Sequence, residues 1–186
     1  MNNRGKNKTI FMGLAIAINL VGGFIALSLK LPIYLDTIGT ILVSILFGPI
    51  SGAIVGGLSA TVNGITFDPI SLYFIPVQLV LGISTGIVFK SKESNGIKSV
   101  FKIVVITLLA SATAAVIASF VFDGVTTSGS SILVAILKNS GISIITAVFS
   151  TQIFTDLLDK AVSFGVVFSI IGMLPLNIKS KIVRNE

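Results

Sequence analysis

The side chains that could do chemistry in this chain are few and gathered. Seven residues are acidic, and five of them, Asp36, Asp68, Asp123, Asp156 and Asp159, stand in polar breaks between long apolar runs or early in the last such run. Around them lie Tyr34, Thr37, Thr40, Asn63, Thr66, Gln78 and Gln152, with the aromatics Phe67, Tyr73 and Phe74 interspersed. Apolar and aromatic walls with a few placed hydrogen-bonding groups are what a small-molecule pocket requires. There is no His and no Cys. That removes disulfides, thiolate chemistry, the usual transition-metal ligands and the usual general base. Neither a cofactor nor a metal is expected. Asp156 and Asp159 could pose as a carboxylate pair. Three residues apart, with Lys160 adjacent, they read as one turn at a helix mouth, and an enzyme is not expected.

Each of these residues also has an ordinary structural reading. Asp36 and Asn63 are residue types that cap helices. Asp68-Pro69 is a common turn and helix-start signal. Tyr34 and Tyr73 fit an interfacial aromatic belt. Lys160 can pair with Asp156 one helical turn earlier. Taken as a set on one side of the molecule, Tyr34, Asp36, Thr37, Thr40, Asn63, Phe67, Asp68, Tyr73, Gln78, Gln152 and Asp156 point to a binding pocket.

The elements that must position them are membrane helices. Of 186 residues, 53% are hydrophobic and 11% charged, and the mean hydropathy is +1.04. A soluble domain of this size needs more polar surface. Helices are expected over 9–29, 36–47, 50–64, 71–89, 100–122 and 151–174, with a further helical stretch at 131–149 whose span is left open. The first run is long enough to cross the ~30 Å hydrocarbon core. It lacks a cleavage site and is expected to be a retained helix. The second and third are short, as in segments that line a cavity or tilt in a thin bilayer. The expected architecture is an all-α membrane protein, a six-transmembrane-helix bundle with both termini cytoplasmic. Its single domain covers 9–175, between a basic N-terminus at 1–8 and a basic tail at 176–186.

Charge supports that orientation. Arg4, Lys6, Lys8, Lys90, Lys92, Lys98, Lys102, Lys179, Lys181 and Arg184 all fall on one side of an even-numbered topology. Basic residues collect on the cytoplasmic side, so the net charge of +6 reports orientation and not nucleic acid. The opposite, outer half is polar and mildly acidic. An acidic pocket favours a neutral or cationic ligand, and Asp36 at the start of a helix disfavours an anionic group beside it.

Membrane helices associate through small residues. Gly52, Gly56 and Ala60, then Gly82 and Gly86, then Ala110, Ala114 and Ala118 form such stripes. In the first helix Gly13 and Ala17 are four apart, as are Ala15 and Asn19. This patch is either another internal seam or an outward dock for a second membrane protein.

Two segments carry a family resemblance: "YLDTIGTILVSILFGPISGAIVGGLSATVNGI" (Tyr34–Ile65) and "DLLDKAVSFGVVFSIIGMLP" (Asp156–Pro175). With the small size and six helices, the chain resembles over nearly its whole length the substrate-binding S components of energy-coupling factor (ECF) vitamin transporters. The resemblance implies a multi-pass protein of the bacterial cell membrane that binds a vitamin, a vitamin precursor or a nucleoside from outside. It implies docking through the first helix, here Gly13, Ala15, Ala17 and Asn19, on a transmembrane coupling subunit powered by two ATPases. This chain has no phosphate-binding Gly-Lys-Ser/Thr loop of its own. A stand-alone secondary transporter or channel would call for an internal repeat or a charge deep in the bundle, and a sensor module for an attached signalling domain.

Overall fold

A computed structural model describes residues 3–90 and 96–174. The expected basic tail, Lys92 and Pro175 lie outside the described residues, as does part of the basic N-terminus. The described chain is helical throughout, with no strand. It comprises α1 (Asn3–Ser28), α2 (Ile38–Phe47), α3 (Pro49–Thr66), a 3₁₀ turn (Pro69–Leu72), α4 (Ile75–Val88), α5 (Gly96–Phe122), α6 (Ser130–Asn139) and α7 (Ile144–Met173).

The breaks follow local chemistry. Lys30 adopts φ 52, and its N–H and that of Leu31 turn back to the carbonyls of Leu27 and Ala26 at 3.2 and 2.9 Å. This is the double bond of a Schellman cap. It ends α1 at Ser28, four residues before Pro32. Gly48 at φ 86 with Pro49 at the first position of α3 separates α2 from α3, since only glycine takes that backbone easily and proline suits a helix start.

The stretch 131–149 is not one helix. Gly141 at φ 86 closes α6 with the same cap, Ile142 N–H to Leu137 O at 3.2 Å. Ser143 then opens α7, accepting from the Thr146 N–H at 3.3 Å. The closing helix therefore begins at Ile144, not at 151, and takes residues 144–149 with it. Ten residues of α6 reach about 15 Å, half the ~30 Å needed to span. The 30-residue α7 is long enough at about 45 Å, but it carries Asp156, Asp159 and Lys160 in its middle. Among the described residues, α1 and α5 are long and apolar enough to cross a membrane by length and composition.

Packing centres on α2, which touches α1, α3, α4 and α7 and buries seven of its ten residues. A β-carbon on Gly39 would strike the Ala15 carbonyl of α1, so glycine sets that close approach. The expected glycine seams are present. Gly52 meets Ser44, Gly56 meets Gln78 and Thr40, and Gly82 meets the backbone of Gly52 and Ala53. Ile41, Leu81, Ile106, Phe164 and Val167 fill the apolar core at one end of the bundle. Elsewhere smaller apolar clusters around Val148 and Val55 lie beside many buried polar groups, among them Asn19, Thr40, Gln78, Asp159 and Lys160, while Leu14, Phe24, Phe101, Phe120 and Phe154 are exposed. A fold that hides polar groups and displays apolar ones suits lipid and not water.

Candidate functional site

The loop after α1 supplies the first wall of the site. Its backbone N–H groups at Tyr34 and Leu35 both bond Asp159 Oδ1 of α7, at 3.0 and 2.8 Å. Leu35 sits at φ 55, a conformation costing about 1–2 kcal/mol for a non-glycine residue. That turn aims two successive N–H groups at one carboxylate. The other oxygen of Asp159 pairs with Lys160 at 2.5 Å. Lys160 also donates to Thr37 Oγ1 at 3.3 Å. The ordinary expectation that Lys160 pairs with Asp156 is thus corrected. The adjacent Asp159 takes it, and both are almost fully buried.

Beneath this loop lies a cavity offering about 120 Å³ to the centre of a water molecule. One such centre needs ~10–15 Å³, so the space holds several waters or a small organic molecule. Of the eleven residues predicted, eight line it: Tyr34, Asp36, Thr37, Asn63, Asp68, Gln78, Gln152 and Asp156. Apolar walls come from α1, α4, α5, α6 and α7, and Phe74 adds an aromatic ring beside that of Tyr34.

The polar lining is cross-linked. Gln78 Nε2 donates to Asp36 Oδ2 at 3.0 Å, and Gln78 Oε1 accepts from Thr40 at 3.3 Å. Gln152 Nε2 lies 3.1 Å from Tyr34 Oη and 3.0 Å from Asp156 Oδ2. Ser111 donates to that same Asp156 oxygen at 2.6 Å. Asp68 Oδ2 accepts from Ser71 at 3.1 Å and Thr127 at 2.8 Å. Its Oδ1 accepts from the Ile70 N–H, so Asp68 both starts the 3₁₀ turn and lines the cavity. Asp36 does not cap α2. The N-cap is Thr37, without a side-chain bond. Asn63 lies inside α3 and donates to Ser71 at 2.8 Å. Its Oδ1 is buried without a partner among the described residues.

Burial pushes the Asp36 carboxyl up to about 6, against the pull of the Lys160 ammonium. Burial, reinforced by the Asp156 charge, raises the Tyr34 phenol above its usual range. Tyr34 therefore stays a neutral hydroxyl near neutral pH.

Three predicted residues stand elsewhere. Phe67 and Tyr73 are about half exposed on the outer surface, against Phe24 and Phe122 respectively. The ring of this stretch that lines the cavity is instead Phe74, one residue on from Tyr73. Thr40 is fully buried behind Gln78. The first-helix patch also divides. Ala15 and Asn19 are each 1% exposed and so belong to no outward face. Asn19 Oδ1 accepts from the Gly39 N–H at 2.7 Å, and Nδ2 donates to Thr40 and Ser59 at 2.9 and 3.0 Å. Gly13 and Ala17 are exposed, and no atom lies within 4 Å of where a Gly13 β-carbon would be.

The reading from sequence left out Lys160, Ser71, Phe74 and the hydroxyls of Thr126, Thr127, Ser128 and Ser130, all of which line the cavity. The polar run after Asp123 was the visible signal of the last four.

A family model described as ECF transporter, substrate-specific component, matches residues 7–171. No curated protein and no solved structure matches the chain.

Proposed function

The chain belongs to the substrate-specific components of ECF transporters, and from that membership we propose that its cavity captures a small micronutrient from outside the bacterial cell. A vitamin, a vitamin precursor or a nucleoside is the class of cargo. As a substrate-binding membrane subunit, the chain works with the partners of an ECF module. In the proposed arrangement it docks on a transmembrane coupling subunit, and two ATPase subunits drive release inside. Catalysis is left to those partners. Both termini face the cytoplasm, and the bundle crosses the membrane six times. We assign those crossings to α1, α2, α3, α4, α5 and α7, with α2, at ten residues no longer than α6, crossing only part of the bilayer as a short segment that lines a cavity. The cavity then opens toward the outside, because its loops lie at the far end of α1 from the basic N-terminus.

The observation that carries this reading is the cavity itself, in which eight predicted polar residues from five separate parts of the chain converge beneath one loop. The proposed binding set is Tyr34, Asp36, Thr37, Asn63, Asp68, Gln78, Gln152 and Asp156, joined by Phe74 and Lys160. Exposed Gly13 and Ala17 are the proposed docking pair. Native mass spectrometry of the gently purified chain tests capture directly. A stoichiometric co-purified small molecule is expected. A chain that releases no such molecule, and binds none from a panel of vitamins and nucleosides, would refute capture.

A further inference from the structure

The distribution of charge within the cavity narrows the cargo. Three carboxylates, Asp36, Asp68 and Asp156, line it against one ammonium, Lys160. These charges are not equally available. Lys160 is bound to Asp159 at 2.5 Å and to Thr37, so its charge is already neutralised by a partner outside the lining. Asp68 is engaged by Ile70, Ser71 and Thr127. Asp156 is only 4% exposed, yet it has no ion-pair partner among the described residues. Ser111 and Gln152 occupy just one of its oxygens. Asp36 likewise accepts a side-chain bond at one oxygen, from Gln78. The Lys160 ammonium acts on both from a distance, but it is shared with Asp159, so the buried carboxylates outnumber their counter-charge, which is costly unless something supplies more. Asn63 Oδ1 adds a third acceptor without a donor.

Two features that would favour an anion are cancelled, while a third, the start of α6 with Ser128 and Ser130 at the cavity, has no acid in its first turn. Helix N-termini attract negative groups, but here Asp36 precedes α2 and Asp68 occupies the N–H at the start of the 3₁₀ turn. Phe74, stacked on Phe122, is part of the lining, and an aromatic ring also favours positive charge.

Building on the capture reading, we infer that the cargo is an organic cation bearing N–H donors, such as an amine or amidinium on a small ring, seated between Asp36 and Asp156. The acceptors Asp36, Asp156 and Asn63 receive its hydrogens, and Phe74 contacts its ring.

The test uses three probes that share one ring and differ in charge: benzamidine, benzamide and benzoate. Each is titrated against the full chain in lipid nanodiscs near neutral pH by calorimetry. Benzamidine is expected to bind about tenfold or more tightly than benzamide, the ratio that one charge-assisted bond confers, with benzoate weakest. In Asp36→Asn, at the half-buried loop position, that preference shrinks toward unity. Asp156→Asn does the same if it folds, and Asp36→Asn carries the test if it does not. Equal affinities, or benzoate tightest, would overturn the cation inference and leave capture standing. Silence from all three probes, together with a co-purified anion, would also overturn it alone. Silence with no co-purified molecule and no vitamin or nucleoside bound would remove capture itself.

Discussion

Asp159 holds the loop and the lysine at once. One oxygen collects the N–H groups of Tyr34 and Leu35, and the other pairs with Lys160. Removing one member of a buried pair leaves the other charged and unpaired, at about 3–5 kcal/mol. Asp159→Ala is therefore expected to lower thermal stability sharply and to speed hydrogen exchange at residues 33–37. Asp159→Ala with Lys160→Ala should recover part of the stability, because the orphan charge is gone, but not the exchange protection of the loop. A double variant no more stable than the single one would refute the paired role. Asp36 yields a pH prediction. It is faced by Lys160, Asp156 and Asp159 on α7 and by Tyr34 and Asp68 across the cavity, and its carboxyl titrates at about 6. Protonation removes the charge a cation would use. Benzamidine affinity should hold above that value and fall as pH drops through it, with protons released on binding. An affinity flat from pH 7 to about 5 would contradict this. At this scale residue type was informative, since eight of eleven predicted lining residues meet at the cavity. Orientation was not. Nothing in the spacing of Tyr73 and Phe74 says which ring turns inward, and the pairing of Lys160 with Asp159 depends on how α7 meets a distant loop.

Helix contacts make the sharper distinction between glycines that look alike in sequence. Gly39 and Gly13 both sit in apolar helices near small residues. A β-carbon at Gly39 would collide with the Ala15 carbonyl, whereas at Gly13 it would meet open space. Gly39→Ala is expected to push α1 from α2 and to destabilise by about 1–3 kcal/mol, the usual range for overpacking. Gly13→Ala should be neutral or slightly stabilising, since alanine is the better helix former. Thermal unfolding of the two variants in the same detergent decides it, and equal shifts would refute the assignment of faces. The helices themselves were mostly legible because apolar runs and Gly-Pro breaks are strong signals. The exception, the run 131–149, contains its own stop and start in Gly141 and Ser143. Those cues are short, and the flanking hydrophobicity masks them. The division of Ala15 and Asn19 from Gly13 and Ala17 was also hidden. Pairs offset by two residues on a helix point to opposite sides, and sequence alone does not say which side is inside.

The whole molecule buries polar groups beside apolar ones and turns large apolar side chains outward, and α1 is its most peripheral long helix. Only 17% of the residues in its most apolar stretch are buried, against 39% for α5. One side of α1 is committed inward, through Ala15 against Gly39 and Asn19 against Thr40 and Ser59. The other presents Gly13 and Ala17, whose small side chains allow a second helix to approach closely. A helix that is buried on one side and smooth on the other is suited to joining a binding subunit to a partner, because docking need not disturb the cavity at its far end. Gly13→Leu and Ala17→Leu place a bulky group on the smooth side with room to accommodate it in the isolated chain. Uptake of cargo by cells that carry the whole transporter is expected to fall to background in both variants. Cargo binding by each purified variant should remain as in the unaltered chain, and co-purification of the coupling subunit should be lost. Normal uptake in both would move the docking face elsewhere on the bundle. Loss of cargo binding together with uptake would mean that this face of α1 supports the cavity and is not a dock.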